Sequence, residues 1–154
     1  LQIQKDGSLL VLAPFFTSRE RIECFVEEKS LWIEKARKQM QKRRKYPEDP
    51  EEIRRLVVKA KELLPQRVAF YSEKMGLKPQ RISITKAKTR FGSCSSKKTI
   101  SFSCFLLLYP PEAVDYVVVH ELAHLKYMNH QKEFYRLIEQ LMPDYKKRRA
   151  LLKE

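Results

Sequence analysis

All three histidines of this chain fall within residues 117–130, in the segment VVVHELAHLKYMNH. His120 and His124 are four residues apart, so a helix would place both imidazoles on one face, where they can bind the same metal ion. Glu121 lies beside the first histidine. On a zinc ion with one open coordination position, a carboxylate so placed can accept a proton from the bound water, whose pKa the metal lowers. The pattern therefore predicts a hydrolytic zinc site with Glu121 as general base.

A third protein ligand is required, and His130 is the candidate that completes the set. If the helix continued from His124, six residues at about 100° each would turn His130 toward the opposite side. The chain must therefore change direction first. Asn129 tolerates the left-handed backbone conformation that ends many helices. The sequence thus predicts a turn at Met128–Asn129 and one Zn²⁺ per chain, bound by His120, His124 and His130.

Three other interpretations of these residues remain open. A glutamate on the following helix, Glu133 or Glu139, could supply the third ligand in place of His130. The histidines could instead be core residues on an apolar helix, with no metal. Cys94 could be a nucleophile paired with a histidine. A metal explains the pattern best, because it accounts for all three histidines and for the charged residue between two of them.

Substrate contacts are expected around the metal. The segment TISFSC is predicted to be an edge strand beside the metal helix that pairs with the extended substrate backbone, with Ser101 and Ser103 on it. Arg90 precedes a glycine turn and is expected either to hold a substrate carbonyl or carboxylate or to be structural. Tyr127 and Tyr135 are candidates to donate a hydrogen bond to the developing oxyanion, or else they simply pack.

Hydrophobic periodicity predicts the elements that position this site. Two alternating segments around Asp6-Gly7 predict a β-hairpin. A long amphipathic helix should follow, beginning with a capping box at Thr17 and Glu20 and running through WIEKARKQMQKRR.

The second half of the chain is predicted to surround the histidine segment. Asp49 and Gly76 bracket a second helix, which Pro65 should kink or divide. The runs RISITKAK and KTISFSCFL, separated by the turn-rich TRFGSCSSK, predict two strands of a small antiparallel sheet. Helices resume at Pro110-Pro111, and the H-E-x-x-H helix is apolar almost all round, so it should run through the centre. The expected fold class is α+β.

Length and composition fit one soluble domain spanning residues 1–154, since the chain is 43% hydrophobic and 33% charged. The first residue is Leu1, so an N-terminal strand could precede it. No apolar run approaches the length of a membrane span. The three cysteines show no metal or disulfide pattern, which indicates free thiols in a reducing cytoplasm.

The net charge of +13 supports a second hypothesis of another class. Basic residues concentrate in EKARKQMQKRRKY, around Arg43, and in YKKRRALLKE, around Arg148, and such stretches attract phosphate backbones or acidic protein surfaces. They are equally compatible with solvated helix faces. The alternative function is a basic nucleic-acid-binding module with a structural metal, and weak nucleic-acid binding could also accompany hydrolysis.

The segment from KAKTRFGSC to YKKRRALL resembles the YgjP-like family of zinc metallopeptidases, which is related to the SprT, Spartan and WLM-type peptidases. The resemblance rests on R-x-G-S-C, beginning at Arg90, on H-E-L-A-H, on Asn129-His130 and on the MPDY turn. The segment DGSLLVLAPFFTSRERIECFVEEKSLWIEKA is similar to that family's first strands and helix. The resemblance therefore covers nearly the whole chain.

This resemblance implies a zincin-like fold with metal ligation by His120, His124 and His130 and a general base at Glu121. It also implies a cytoplasmic metallopeptidase that cleaves a protein or peptide, without defining the substrate or the oligomeric state. Because Spartan peptidases act on proteins bound to DNA, hydrolysis of DNA-bound proteins is a variant of the second hypothesis.

Overall fold

The structure, a computed structural model, describes residues 1–4, 8–42 and 46–153, with the backbone alone described for residues 39–42. The chain divides into two compact units, Leu1–Lys45 and Tyr46–Lys153. All three histidines belong to the second unit. Among the described residues, no helix combines the length and the apolar character needed to cross a bilayer.

The first unit contains a short hairpin and two helices. Strand β1 (Gln2–Ile3) pairs antiparallel with β2 (Leu9–Leu10), which confirms the two hairpin strands. The predicted turn at Asp6-Gly7 lies outside the described residues. Helices α1 (Arg19–Glu28) and α2 (Ser30–Lys42) follow.

The prediction of one long helix in this unit is wrong. Helix α1 ends at Lys29, where the backbone angles are φ −95° and ψ 8°, and α2 begins at the next residue. The N-cap is Ser18, whose side chain accepts a hydrogen bond from the Arg21 N–H at 3.4 Å, and not Thr17. Apolar spacing continues across the junction, so periodicity alone does not detect a break at one residue.

The second unit begins with the long helix α3 (Pro50–Met75). As predicted, the Asp49 side chain caps it, accepting two backbone N–H groups at 3.3 Å each. Gly76 ends it with φ 64°, a left-handed conformation that glycine adopts without steric cost. The helix continues through Pro65 and is not divided there.

A three-stranded mixed sheet packs beside the helices. Its strands are β3 (Arg81–Thr85), β4 (Gly92–Cys94) and β5 (Thr99–Ser103), in the order β3-β5-β4. β3 and β5 run parallel, whereas β4 runs antiparallel to β5. The predicted antiparallel pairing of the two longer strands is therefore wrong. The predicted edge position of β5 is also wrong. β5 lies between β3 and β4, because the segment that connects β3 to β5 forms the additional strand β4, which pairs with the free side of β5.

Helix α4 (Pro111–Ala123) runs through the middle of this unit, contacting α3, β4, α5 (Lys132–Leu141) and α6 (Tyr145–Ala150). A 3-10 helix precedes it and another, Leu151–Lys153, ends the described chain. The middle of α4 is buried on every side, and Val118 and Val119 are fully enclosed. This arrangement confirms the α+β class and the central position of the H-E-x-x-H helix.

A buried ion pair fixes α4 against α3. Asp115 on α4 is 8% exposed and accepts two hydrogen bonds from the Arg67 guanidinium, the Nε bond at 2.7 Å. The Tyr71 hydroxyl donates a third at 2.9 Å. A carboxylate this buried is tolerated only when its oxygens accept hydrogen bonds. The network therefore favours one position of α4 along α3.

Candidate metal centre

Helix α4 ends at its second histidine. His120 lies in the last turn and His124 is the C-terminal cap, whose N–H donates to the His120 carbonyl at 3.3 Å. The next N–H, of Leu125, donates at 3.0 Å to a carbonyl only three residues back. This tighter turn ends the helix and redirects the chain before His130.

The predicted turn at Met128–Asn129 is thus wrong as the end of the helix, although the chain does bend there. Asn129 does not adopt the predicted left-handed conformation, since Lys98 is the one described non-glycine residue with positive φ. A local hydrogen bond accounts for the earlier end. The His124 ring nitrogen Nδ1 lies 3.0 Å from the Tyr127 carbonyl, a contact that requires the chain to fold back over the cap.

The fold brings the three histidines together. His120 and His130 approach with their Nε2 atoms 3.1 Å apart, and one ring nitrogen from each of the three lies within 4.8 Å of the others. Zinc bound by imidazoles at about 2.0–2.1 Å holds its ligand nitrogens at comparable separations. Two lone pairs facing each other at 3.1 Å repel unless a proton or a metal cation lies between them.

The Nδ1 atoms of two of the rings have polar partners. The Nδ1 of His124 donates to the Tyr127 carbonyl, which leaves its Nε2 as the lone-pair nitrogen. The Nδ1 of His120 lies 3.4 Å from the Tyr116 hydroxyl. Partners of this kind fix the tautomer and orientation of metal-binding histidines.

The surroundings keep the imidazoles of His120 and His124 neutral, the form that binds metal. Burial, the imidazoles of His124 and His130 and the guanidinium of Arg149 lower the pKa of His120 to about 3. Burial also lowers the pKa of His124, against the opposing effect of its hydrogen bond to Tyr127. A neutral imidazole offers a lone pair to a metal, so the donor set fits a divalent cation such as zinc.

The ring of Phe134 packs against all three histidine rings. Its fully buried ring lies 4.9, 4.6 and 4.8 Å from the rings of His120, His124 and His130, measured between centroids. It is the third residue of α5, so the position of that helix orders the three imidazoles. Nothing in the sequence distinguishes Phe134 from an ordinary core residue.

Glu121 is a buried carboxyl beside this cluster. It is 6% exposed, and its Oε2 has no hydrogen-bond partner among the described residues. Burial raises its pKa to about 7, although the guanidinium of Arg90 acts in the opposite direction. An acid with a pKa near neutrality can both accept and return a proton at physiological pH. The orphaned oxygen is free to bind a water molecule or substrate.

Gly92 on the edge strand β4 is packed directly against this carboxyl. A Cβ added at Gly92 would lie 2.7 Å from Glu121 Cγ and 2.8 Å from its Oε1, closer than non-bonded atoms approach. Glycine is therefore required here for the close approach of β4 to α4. The sequence pattern R-x-G-S-C contained this residue without revealing its partner.

The hypothesis that Glu121 is the general base of a hydrolytic site predicts that Gly92→Ala displaces its carboxyl and lowers hydrolysis by about 100-fold, the effect of misplacing a catalytic group by about 1 Å. Zinc content should not change, because no histidine is touched. Hydrolysis rate and zinc per chain would be measured together. Gly76→Ala is the matched control: nothing lies within 4 Å of its added Cβ, so it should lower stability through its positive φ but leave the rate intact. Wild-type activity in Gly92→Ala would contradict the proposed contact.

The sequence-predicted substrate residues occupy different environments. Arg90 is exposed and close enough to Glu121 to influence its pKa. Ser101 exchanges a 2.7 Å hydrogen bond with Ser83. Ser103 is buried, and its hydroxyl donates to the Ala87 carbonyl at 2.6 Å. Ser101 and Ser103 thus have partners within the sheet, and with Arg90 they line a polar cavity of about 50 Å³.

The two predicted tyrosines also have neighbours at the centre. Tyr127 is half-buried, and its carbonyl orients His124. The Tyr135 ring lies 6.3 Å from that of His130 and stacks on Tyr145 at 6.0 Å. The oxyanion role of either hydroxyl stays a prediction. Tyr116, which contacts His120, is a further hydroxyl at the site that the sequence did not single out.

The competing interpretations find less support in the geometry. Glu133 and Glu139 are exposed and are not part of the histidine cluster. Cys94 is a free, half-buried thiol, and burial together with the nearby Glu121 raises its pKa, which disfavours a thiolate nucleophile. For the nucleic-acid hypothesis, Arg43, at the centre of one basic stretch, lies outside the described residues.

A cleft of about 300 Å³ opens beside His120 and Glu121. Its other walls come from β4 and the residue before it, Phe91, and from the C-terminal end of the described chain. Of the described residues that line it, Glu121 is the one acid. The cleft is large enough to accept a side chain of an extended peptide.

Known proteins are similar to this chain in sequence and in fold. A family model for the YgjP-like metallopeptidase domain matches residues 50–154. The structure is similar to the metallopeptidase zymogen abylysin of Pyrococcus abyssi, with a TM-score of 0.53 and 23% identity over 58% of this chain and 91% of that one. It is also similar to the metallopeptidase zymogen jannalysin of Methanocaldococcus jannaschii, with a TM-score of 0.52 and 20% identity over 58% and 92% of the two chains. At these identities the likeness establishes the fold. No curated protein gives a significant match.

Proposed function

The chain belongs to the YgjP-like metallopeptidase family, and from this premise we propose that it is a zinc-dependent peptidase. Its substrate is a protein or peptide. The observation that carries the proposal is the convergence of three imidazole nitrogens within 4.8 Å beside a buried carboxyl. His120, His124 and His130 are the residues that would hold one zinc ion.

Each of the chain's own groups has a role in hydrolysis. Zinc, when bound, supplies a Lewis acid that polarises the scissile carbonyl and makes water more acidic. Glu121 accepts the proton of the attacking water and passes it to the leaving amine, both of which require a pKa near the working pH. Arg90 favours the ionised form of Glu121 and so keeps part of the carboxyl available as a base.

The hydrogen bonds and the packing keep the site organised between turnovers. The Tyr116 hydroxyl and the Tyr127 carbonyl contact the Nδ1 atoms of His120 and His124, which leaves the Nε2 atoms of both rings for the metal. Phe134 packs against all three rings and Gly92 against Glu121, which reduces the rearrangement needed when substrate binds.

Metal removal tests this proposal. Protein purified without added metal is expected to contain about one zinc per chain and to cleave members of a peptide library detected by mass spectrometry. Dialysis against a chelator should abolish cleavage, and one equivalent of zinc should restore it, because the general base alone supplies only part of the acceleration. Glu121→Gln purified in parallel controls for contaminating proteases. Cleavage that persists in the metal-free protein would contradict zinc dependence.

A further inference from the structure

The C-terminal wall of the cleft carries two cations. Arg149 and Lys153 line it next to His120 and Glu121, together with the half-buried Leu152. Both charged side chains are exposed.

Arg149 and Lys153 differ from the neighbouring Arg148 in their ion pairing. Arg148, one residue earlier, forms an ion pair with Asp144 at 2.9 Å and is half-buried, so its charge is already neutralised. By contrast, neither Arg149 nor Lys153 forms an ion pair with any acidic residue in the described part of the chain. Glu121 lines the same cleft, but it is buried and forms no ion pair with either of them.

The remaining wall of the cleft is mostly apolar. It includes Phe91, just before β4, Val117 of α4 and Leu152 at the C-terminal end, together with the ring of Tyr116. A side chain with an apolar stem and an anionic head matches both surfaces, since the stem can pack on the apolar wall while the head reaches the cations. The planar guanidinium of Arg149 can bind a carboxylate through two parallel hydrogen bonds.

We propose that Arg149 and Lys153 form a specificity site for an acidic substrate side chain, Glu or Asp, next to the scissile bond. The proposal deepens the peptidase function proposed above and rests on it. A basic substrate residue would instead meet two cations and the metal ion, and like charges brought together in this way oppose binding.

The size of the preference follows from the exposure of the two cations. One partly exposed ion pair contributes up to about fivefold in affinity. Two cations acting on one carboxylate therefore predict about a tenfold advantage for Glu over the isosteric Gln, and a larger one over Lys. Because exposed charges are screened by salt, the advantage should shrink at high ionic strength.

The test compares peptides that are identical except for Glu, Gln or Lys at each of the two positions flanking the cleaved bond. With the zinc-loaded protein, kcat/KM should be about tenfold higher for Glu than for Gln at one of these positions, and the ratio should fall in 0.5 M NaCl, as expected from screening at that ionic strength. Arg149→Glu should reverse the order so that Lys is preferred. Lys147→Glu makes the same charge change on an exposed position of α6 that does not line the cleft, and it should leave the order unchanged. If Arg149→Glu fails to fold, Arg149→Gln should reduce the Glu advantage severalfold.

A binding measurement separates this inference from the peptidase proposal. Fluorescence anisotropy of the same labelled peptides with zinc-loaded Glu121→Gln reports affinity without turnover. If wild-type protein cleaves all peptides at equal rates, the acidic preference is overturned while the peptidase function stands. If no peptide is cleaved but Glu peptides bind about tenfold more tightly and Arg149→Glu reverses this, the peptidase function fails and the acidic site stands. Equal binding of all peptides without cleavage overturns both.

Discussion

Replacing Glu121 by Gln is expected to lower peptide hydrolysis by at least about 100-fold and by as much as about 10,000-fold, the usual contribution of a general base. Gln has nearly the same size, so the contact with Gly92 is kept. Its amide cannot accept a proton at neutral pH. Zinc content should stay at the wild-type level, because the carboxyl is proposed as a base and not as a ligand. Single-turnover rates and zinc per chain, measured on the same preparations, would check both statements.

The folding stability of the metal-free variant provides the control. The Glu121 carboxyl has a pKa of about 7 in the folded protein against an ordinary value of 4.5, so the folded state binds the proton more tightly. The contribution of this carboxyl to stability is therefore fully present below pH 4.5 and is lost as the pH rises through 7. Since one pKa unit corresponds to about 1.4 kcal/mol, the ionised carboxyl destabilises the fold by about 3 kcal/mol at pH 8.

Glu121→Gln lacks this titration, so the metal-free variant should be more stable than metal-free wild type at pH 8. The difference should disappear near pH 4.5. Urea unfolding at the two pH values measures it, and the histidines contribute equally to both proteins. A variant that hydrolyses peptides at the wild-type rate would refute the mechanism, whereas one that loses its zinc would make Glu121 a structural or metal-binding residue.

The metal site could be anticipated because its geometry is mostly local. Helical spacing alone places His120 and His124 on one face, and the apolar residues around them predict burial of that face. The sequence also required a change of direction before His130, and the structure has one. It could not place the helix end correctly, because α4 stops through hydrogen bonds of Leu125 and of the His124 ring, without the Gly or Asn that most clearly marks a helix end in a sequence.

The sheet was harder to predict because strand direction and order are not local. Alternation identified β3 and β5 as strands, but the same pattern suits parallel and antiparallel pairing. β4 is three residues long and lies within a turn-rich segment, so it was not recognised as the edge strand. The resemblance to the YgjP-like family is confirmed over residues 50–154, yet it did not reveal the approach of Gly92 to Glu121 or of Phe134 to the histidines, both of which depend on tertiary packing.

His130→Ala is expected to weaken zinc binding by at least about 100-fold, because the loss of a partner that merely orients a ligand already costs about 10- to 100-fold. His130 supplies one of the three ring nitrogens within 4.8 Å, and its Nε2 is 3.1 Å from that of His120. The two remaining histidines would leave an incomplete coordination sphere. Competition titration against a chromogenic zinc chelator would measure the dissociation constants of wild type and variant.

The alternative third ligands supply the matched controls for this experiment. Glu133→Gln and Glu139→Gln each remove an exposed carboxylate of α5 that lies outside the cluster, so both should bind zinc with wild-type affinity. Retained affinity in His130→Ala together with weakened binding in Glu133→Gln would move the third ligand to α5. That result would also require α5 to approach α4 more closely when metal binds, because Phe134 and not Glu133 now faces the imidazoles.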